Sequence, residues 1–319
     1  MIRSAILVLF LSSSSLALAQ STALPAQNPA PAAQSSQPGP GGPATQSPVQ
    51  SAPPAAQSAA PGPRKVQAKT KPEYDAFQAA DAATADPDLA KAEAAVKDFE
   101  TKFPQSELTS ILYDKLMKRY QQAGNGEKVV EMGRKEIALD PTSVPALLTV
   151  ATALAESTHA TDVNWAQNYA EIVSDSNQAL NLINSGQFSA PQLSPAQMDA
   201  VKSMGYAAIG SIEFTKSGDA SGDPAEQAKH NAAAEAALRQ ATALNTVNPE
   251  PALWLRLAVT LDHEKKYPEA ISAANRAAEL SANEPNILAL AKQEQTRLQE
   301  LSGAAKPAPA PDVKSSTPH

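Results

Sequence analysis

Cysteine is absent from all 319 residues. That excludes disulfides, thiolate metal sites, a cysteine nucleophile and a lipidated N-terminal cysteine, so packing alone must hold the chain together. Aromatic residues make up only 4% of the chain and there are only 13 glycines, fewer than a β-sandwich or an α/β enzyme ordinarily uses. Basic residues are not in excess: 26 Lys and Arg stand against 33 Asp and Glu, a net charge of -7 that disfavours a general nucleic-acid binder. There is no phosphate-binding glycine loop and no GxSxG elbow. After the first 19 residues no apolar run approaches the roughly 20 residues that a membrane-spanning helix needs.

Charge is missing altogether between Arg3 and Arg64. Within that region two segments separate. Residues 1–19 read as a secretory signal peptide: Arg3 is the charged start, "AILVLFL" from Ala5 to Leu11 the apolar core, and "ALA" from Ala17 to Ala19 the small residues of a cleavage site. The expected location is therefore the periplasm or the cell exterior. Residues 20–72 form a Pro-, Ala-, Gln- and Ser-rich linker that cannot bury enough apolar surface to order itself, and its prolines favour an extended spacer. It could be passive, carry a proline-motif ligand, or cross the cell wall. It ends in "RKVQAKTK", whose Arg64, Lys65, Lys69 and Lys71 could touch anionic polymer or lipid or simply be a solvated flank. Residues 304–319 form a shorter tail of the same composition.

What the chain does have, from 73 to 303, is helix. Apolar and small residues recur at three- and four-residue spacing, and no alternating strand pattern appears. Starts are marked by "DPDLAKAE", with Asp86 as N-cap and Pro87 as first helical residue, by "SPAQ" at Ser194 to Gln197, and by "DPAE" at Asp223 to Glu226. The pattern repeats. Ser110 to Pro141 aligns without a gap with Pro251 to Ala282: Tyr113 with Trp254, Leu116 with Leu257, Met117 with Ala258, Tyr120 with Leu261, Val129 with Ala270, Val130 with Ile271 and Leu139 with Leu280. Glu73 to Pro104, Val144 to Glu156, Met198 to Phe214 and Ala232 to Leu244 carry the same beat less fully.

These segments resemble the tetratricopeptide repeat family, whose unit of about 34 residues is a helix, a turn and a second antiparallel helix. The departures are Gly133 and Ala274 where a large aromatic is usual, Glu136 where alanine is usual, and the insertions "STHATDVN" and "SGDASGDP" in the third and fourth units. The resemblance implies an all-α solenoid of about five helix pairs, closed by a capping helix over 284–303 with Ile287, Ala291, Leu298 and Leu301 against the stack and Gly303 as C-cap. Small residues such as Ala79, Ala151, Gly205, Ala234 and Ala270 would allow close helix approach. A simple helical bundle is the competing architecture.

The candidate chemistry is sparse. His159, His230, His263 and His319 are scattered and read as exposed; "HEKKY" at His263 lacks the second histidine of a zinc-protease helix. "DASGDP" at Asp219 would need glycine in place of Pro224 and glutamate in place of His230 to be a calcium loop. Trp165, Trp254, Tyr113, Tyr206 and Phe214 sit at packing positions. No metal, cofactor or catalytic residue is assigned. The resemblance implies a non-catalytic scaffold that takes a protein or peptide on a concave face lined by the first helix of each pair. The polar residues placed there are Asp114, Lys118, Gln121, Lys202 and Tyr206. They lack the lysine-and-asparagine clamp for a peptide's C-terminal carboxylates. The alternative is a cell-wall or membrane-surface protein acting through the basic, proline-rich arm.

Overall fold

A computed structural model describes residues 66–188 and 192–304. The signal peptide, residues 20–65 of the linker and the tail from 305 onward lie outside the described residues, as do Arg64, Lys65 and His319. Eleven α-helices fill the described residues, with no strand among them: α1 Lys71–Ala83, α2 Leu89–Lys102, α3 Leu108–Gln122, α4 Gly126–Leu139, α5 Val144–Ser157, α6 Trp165–Asn184, α7 Pro195–Asp219, α8 Pro224–Leu244, α9 Pro251–His263, α10 Tyr267–Leu280 and α11 Pro285–Ala304. None is long and apolar enough to cross a membrane.

Each helix packs on its sequence neighbours, and consecutive helices run antiparallel. The result is a tetratricopeptide-like solenoid: five helix pairs stacked in chain order, with α11 laid against α9 and α10. The core is a series of apolar clusters, each bridging neighbouring pairs, as expected where one pair cannot bury its own apolar face. Ala151, Ala234 and Ala270 are wholly buried at helix contacts, and at Gly205 a Cβ would press within 3.1–3.2 Å of Leu180 and Leu148. Ala79, expected among the contact alanines, is exposed, whereas Ala80 beside it on α1 is buried.

Local chemistry sets the helix ends. Ser194 and Gln197 form a complete capping box at α7, and Asp223 accepts from the backbone N–H groups of Ala225 and Glu226 at α8. At α2 the cap is Asp88, not Asp86: Asp88 accepts from Ala90 N–H at 3.0 Å, while Asp86 accepts from Asp88 N–H at 2.8 Å in the preceding turn. Pro87 therefore precedes the helix. The "SGDASGDP" segment is no open loop. α7 runs through Asp219, a 3-10 turn covers Ala220–Gly222, and Ser217 Oγ donates to Asn231 Oδ1 at 2.5 Å to tie α7 to α8. At the end of the stack Ile287, Ala291 and Leu298 are buried, whereas Leu301 is exposed, and Gly303 lies within α11 instead of capping it.

The folded region also reaches into the segment read as linker. Val66 and Ala68 pack against the α1–α4 core. Buried Glu73 accepts from Lys69 N–H at 2.6 Å and from Ser106 Oγ at 2.6 Å, and the Ser106 bond is the main cause that holds its carboxyl below the usual range.

Candidate protein-binding face

The helices do not contribute equally to the two sides of the stack. First helices touch one another directly at α1–α3, α5–α7, α7–α9 and α9–α11, though not comparably at α3–α5, while no two second helices among the described residues are in comparable contact. The row of odd-numbered helices is thus the more tightly packed side, and the even-numbered helices splay outward.

Polar side chains on this row fall into two groups. On α3, Lys118 Nζ lies 2.7 Å from Asp114 Oδ2, and Gln121 is exposed in the last turn. Towards α1 the same helix is stapled down: Lys115 pairs with Asp81, and the Arg119 guanidinium donates to the carbonyls of Thr84 and Asp86. On α7, Lys202 is 3.5 Å from Asp199, and Tyr206, one turn on, is half-buried against the α8–α10 core. Helices α3 and α7 are not in contact; α5 packs on α4 and α7 between them. The five residues expected on this face therefore form two separate groups, one on α3 and one on α7.

A third cluster was not expected. Arg256 on α9 donates from Nη1 to Ser211 Oγ on α7. Burial lowers its pKa, and the carboxylates of Glu156 at the end of α5 and Glu250 before α9 act in the opposite direction. One guanidinium thus ties α9 to α7 and lies within electrostatic reach of the end of α5. Arg256 is the only charged side chain in "PALWLRLAVTL", a cation in an otherwise apolar helix, and that was the available signal. Arginine suits such a site because its donors are fixed in a plane and it keeps its charge when partly desolvated.

Beneath the α3 group lies Glu136 on α4, 5% exposed. Oε1 accepts from Ser143 Oγ at 2.6 Å, while buried Oε2 has no hydrogen-bond partner. Burial, then the nearby Asp114 charge, push this carboxyl up to about 8. A second buried polar cluster was also missed. His230, read as exposed, is buried in α8 with Nδ1 2.6 Å from Glu213 Oε2, and Tyr169 donates to Glu213 Oε1 at 2.7 Å. It fills the space between the lengthened helices α6, α7 and α8, away from either group expected on the face. Phe214 stacks on His263, and Tyr113 is buried with its hydroxyl donating to Glu100 at 2.7 Å. Trp165 and Trp254 are half-buried at cluster edges.

The basic segment has partners where it is described. Lys69 Nζ donates to the Gln105 carbonyl at 2.8 Å, and Lys71 Nζ pairs with Asp75 at 2.6 Å.

No family model matches this chain, and no curated protein matches it. Among solved structures it is similar to TTC0263, a thermophilic TPR protein of Thermus thermophilus, with 16% identity, 70% of this chain and 99% of that chain covered, and a TM-score of 0.37. It is also similar to PilW, described as a widely conserved type IV pilus biogenesis factor, with 16% identity, 76% of this chain and 96% of that chain covered, and a TM-score of 0.38.

Proposed function

We propose that this chain is a non-catalytic scaffold or adaptor of the bacterial cell envelope, binding protein partners along the face lined by α1, α3, α5, α7 and α9. One observation carries the reading: the Glu156–Ser211–Arg256 cluster spans three first helices and sets charged, partly accessible groups on the more tightly packed side of the stack. A solenoid stabilised by apolar clusters does not need such groups for folding, since truncating them to apolar residues of similar volume is often neutral or stabilising. A partner with matched charges gains orientation and specificity from them. The envelope assignment rests on the N-terminal sequence: Arg3, the Ala5–Leu11 apolar run and the small residues Ala17 to Ala19.

The test is crosslinking in cells of the tagged full-length chain, followed by affinity capture and quantitative mass spectrometry. The control carries Asp114→Asn, Lys118→Gln, Lys202→Gln and Arg256→Gln together. One or two envelope proteins enriched with the natural chain and lost with the variant support the reading. Equal capture by both, or enrichment of nothing, counts against the face.

A further inference from the structure

We infer that Glu136 is a proton-operated latch under the binding face: uncharged, it leaves Lys118 paired with Asp114, and ionised, it draws Lys118 to itself and releases Asp114. The consequence for partners rests on the proposed binding face; the latch itself does not.

Three observations carry it. The first is geometry. Glu136 sits between α3 and the start of α5, held on one oxygen by Ser143, which also caps α5 through Ala146 N–H, while the other oxygen is buried and unpartnered. An unpartnered buried oxygen is tolerable on a neutral carboxyl and costly on a carboxylate. The second is the set of neighbours. The charged groups acting most strongly on Glu136 are Asp114 and Lys118 on α3 and Asp140 just after α4; of these Lys118 alone is a cation, and it already reaches Asp114 at 2.7 Å. On ionisation the carboxylate needs a donor, and a flexible lysine one helix away can supply it. The third is the repeat itself. The positions of Asp114, Lys118 and Glu136 correspond in the α9–α10 pair to Leu255, Val259 and Ala277, with Leu255 and Ala277 buried. The fold builds the same joint with apolar residues at all three of these positions, so the acidic version serves something other than packing. The raised pKa of Glu136, to about 8, places the transition near neutral pH.

The experiment is carboxyl-carbon NMR of the full-length chain, titrated from about pH 5 to about pH 9.5. The expected result is a Glu136 midpoint more than about two units above a free glutamate, with a second inflection at the same midpoint in the Asp114 signal. In Glu136→Gln the Asp114 inflection should vanish. In Ser143→Ala, which leaves the burial in place, the Glu136 midpoint should move higher still, because a donor favouring the carboxylate is gone. A Glu136 midpoint in the ordinary carboxylate range overturns the latch, and so does an Asp114 inflection that survives Glu136→Gln. No partner is needed, so failure here leaves the binding-face reading untouched, and failure of partner capture leaves the titration standing.

Discussion

The pairs α3–α4 and α9–α10 are the same unit written twice, related by a constant offset of 251 − 110 = 141 residues. Their turns superimpose bond for bond. Gly124 and Lys265 both adopt left-handed backbone, with φ of +68 and 59. Asn125 N–H reaches Tyr120 C=O as Lys266 N–H reaches Leu261 C=O, and the two flanking bonds, Gly124 to Gln121 and Lys265 to Asp262, also correspond. This is the Schellman closure of a helix. The side chains diverge. Where one pair has Asp114, Lys118 and Glu136, the other has Leu255, Val259 and Ala277; where one has Tyr120 donating to Glu93 at 2.6 Å, the other has buried Leu261. The backbone frame and the alternation of small with large residues thus define the unit, while polar groups in the joint are additions to it.

The largest loss of stability is expected when the acid is written into the apolar copy. Ala277 is fully buried, and the residue corresponding to Ser143 is Glu284, which offers no hydroxyl. Ala277→Glu should therefore cost roughly 3–5 kcal/mol, the range for an uncompensated buried charge. In a stack of nearest-neighbour contacts the loss should concentrate in α9–α11. Thermal melting together with hydrogen exchange checks both the size and the location; uniform loss of protection across all helices would show that the units do not behave independently.

The converse change removes the acid from the polar copy. The folded pKa of Glu136 is raised, from 4.5 to about 8. Between those values the unfolded chain gives up its proton and the folded chain keeps it. Wild-type stability must then fall as pH climbs through that window and level off above about 8. At one pKa unit per 1.36 kcal/mol the contribution is on the order of 5 kcal/mol. Glu136→Gln should abolish it, so the variant gains on wild type progressively from about pH 5 to about pH 8 and by a constant amount beyond. Urea melts at several pH values measure this; parallel stability curves for the two proteins would mean that Glu136 is not perturbed.

How much of this was legible beforehand follows the same division. The helix pairs and their phase were readable because small and large residues recur at helical spacing, and Leu116, Met117, Leu257 and Ala258 are buried together with their neighbours. The caps at Ser194 and Asp223 were readable from local sequence. The cap at Asp88 was not separable from Asp86, because both acids lie just before an apolar run and only the three-dimensional turn chooses between them. His230 and Arg256 were misjudged or missed because their partners, Glu213, Ser211 and Glu156, are distant in sequence and no spacing rule connects them. The five polar residues expected on one face stand on α3 and α7, with α5, packed on α4 and α7, between them.

A smaller effect probes the helix contacts themselves. A Cβ added at Gly133 would lie 2.3 Å from Val150 Cγ2 and 3.1 Å from Met117 Sδ, whereas the corresponding Ala274 already fits its site and is buried. Gly133→Ala should cost about 1–3 kcal/mol through overpacking. Ala274→Gly should cost about 1 kcal/mol, through backbone entropy and a lost methyl. Glycine and alanine are thus not interchangeable between the two copies, although they occupy one repeat position. Denaturant midpoints for the two single variants decide it, and a neutral Gly133→Ala would show that Val150 rotates away freely.

The smallest effect lies in the turn, where the two copies should respond in opposite directions to the same pair of residues. A left-handed conformation costs an L-residue roughly 1–2 kcal/mol that glycine escapes. Lys265 carries that cost in α9–α10; Gly124 avoids it in α3–α4, and a Cβ at Gly124 would meet nothing within 4 Å. Sterics with neighbours are therefore absent, and only the backbone decides. Lys265→Gly should stabilise by at most about 1 kcal/mol, because glycine also gives the unfolded chain more freedom to lose. Gly124→Lys should destabilise by a similar amount. The N-caps accentuate the contrast: Asn125 accepts from Lys128 N–H at 3.1 Å, while Lys266 offers α10 no side-chain cap. Gly124→Lys is thus placed in a turn already supported by its cap, and Lys265→Gly relieves one that is not. Equal and opposite shifts in the urea midpoint would establish that the turn is the shared frame of the unit; a loss in both would mean that Lys265 makes a contribution of its own that offsets its strain.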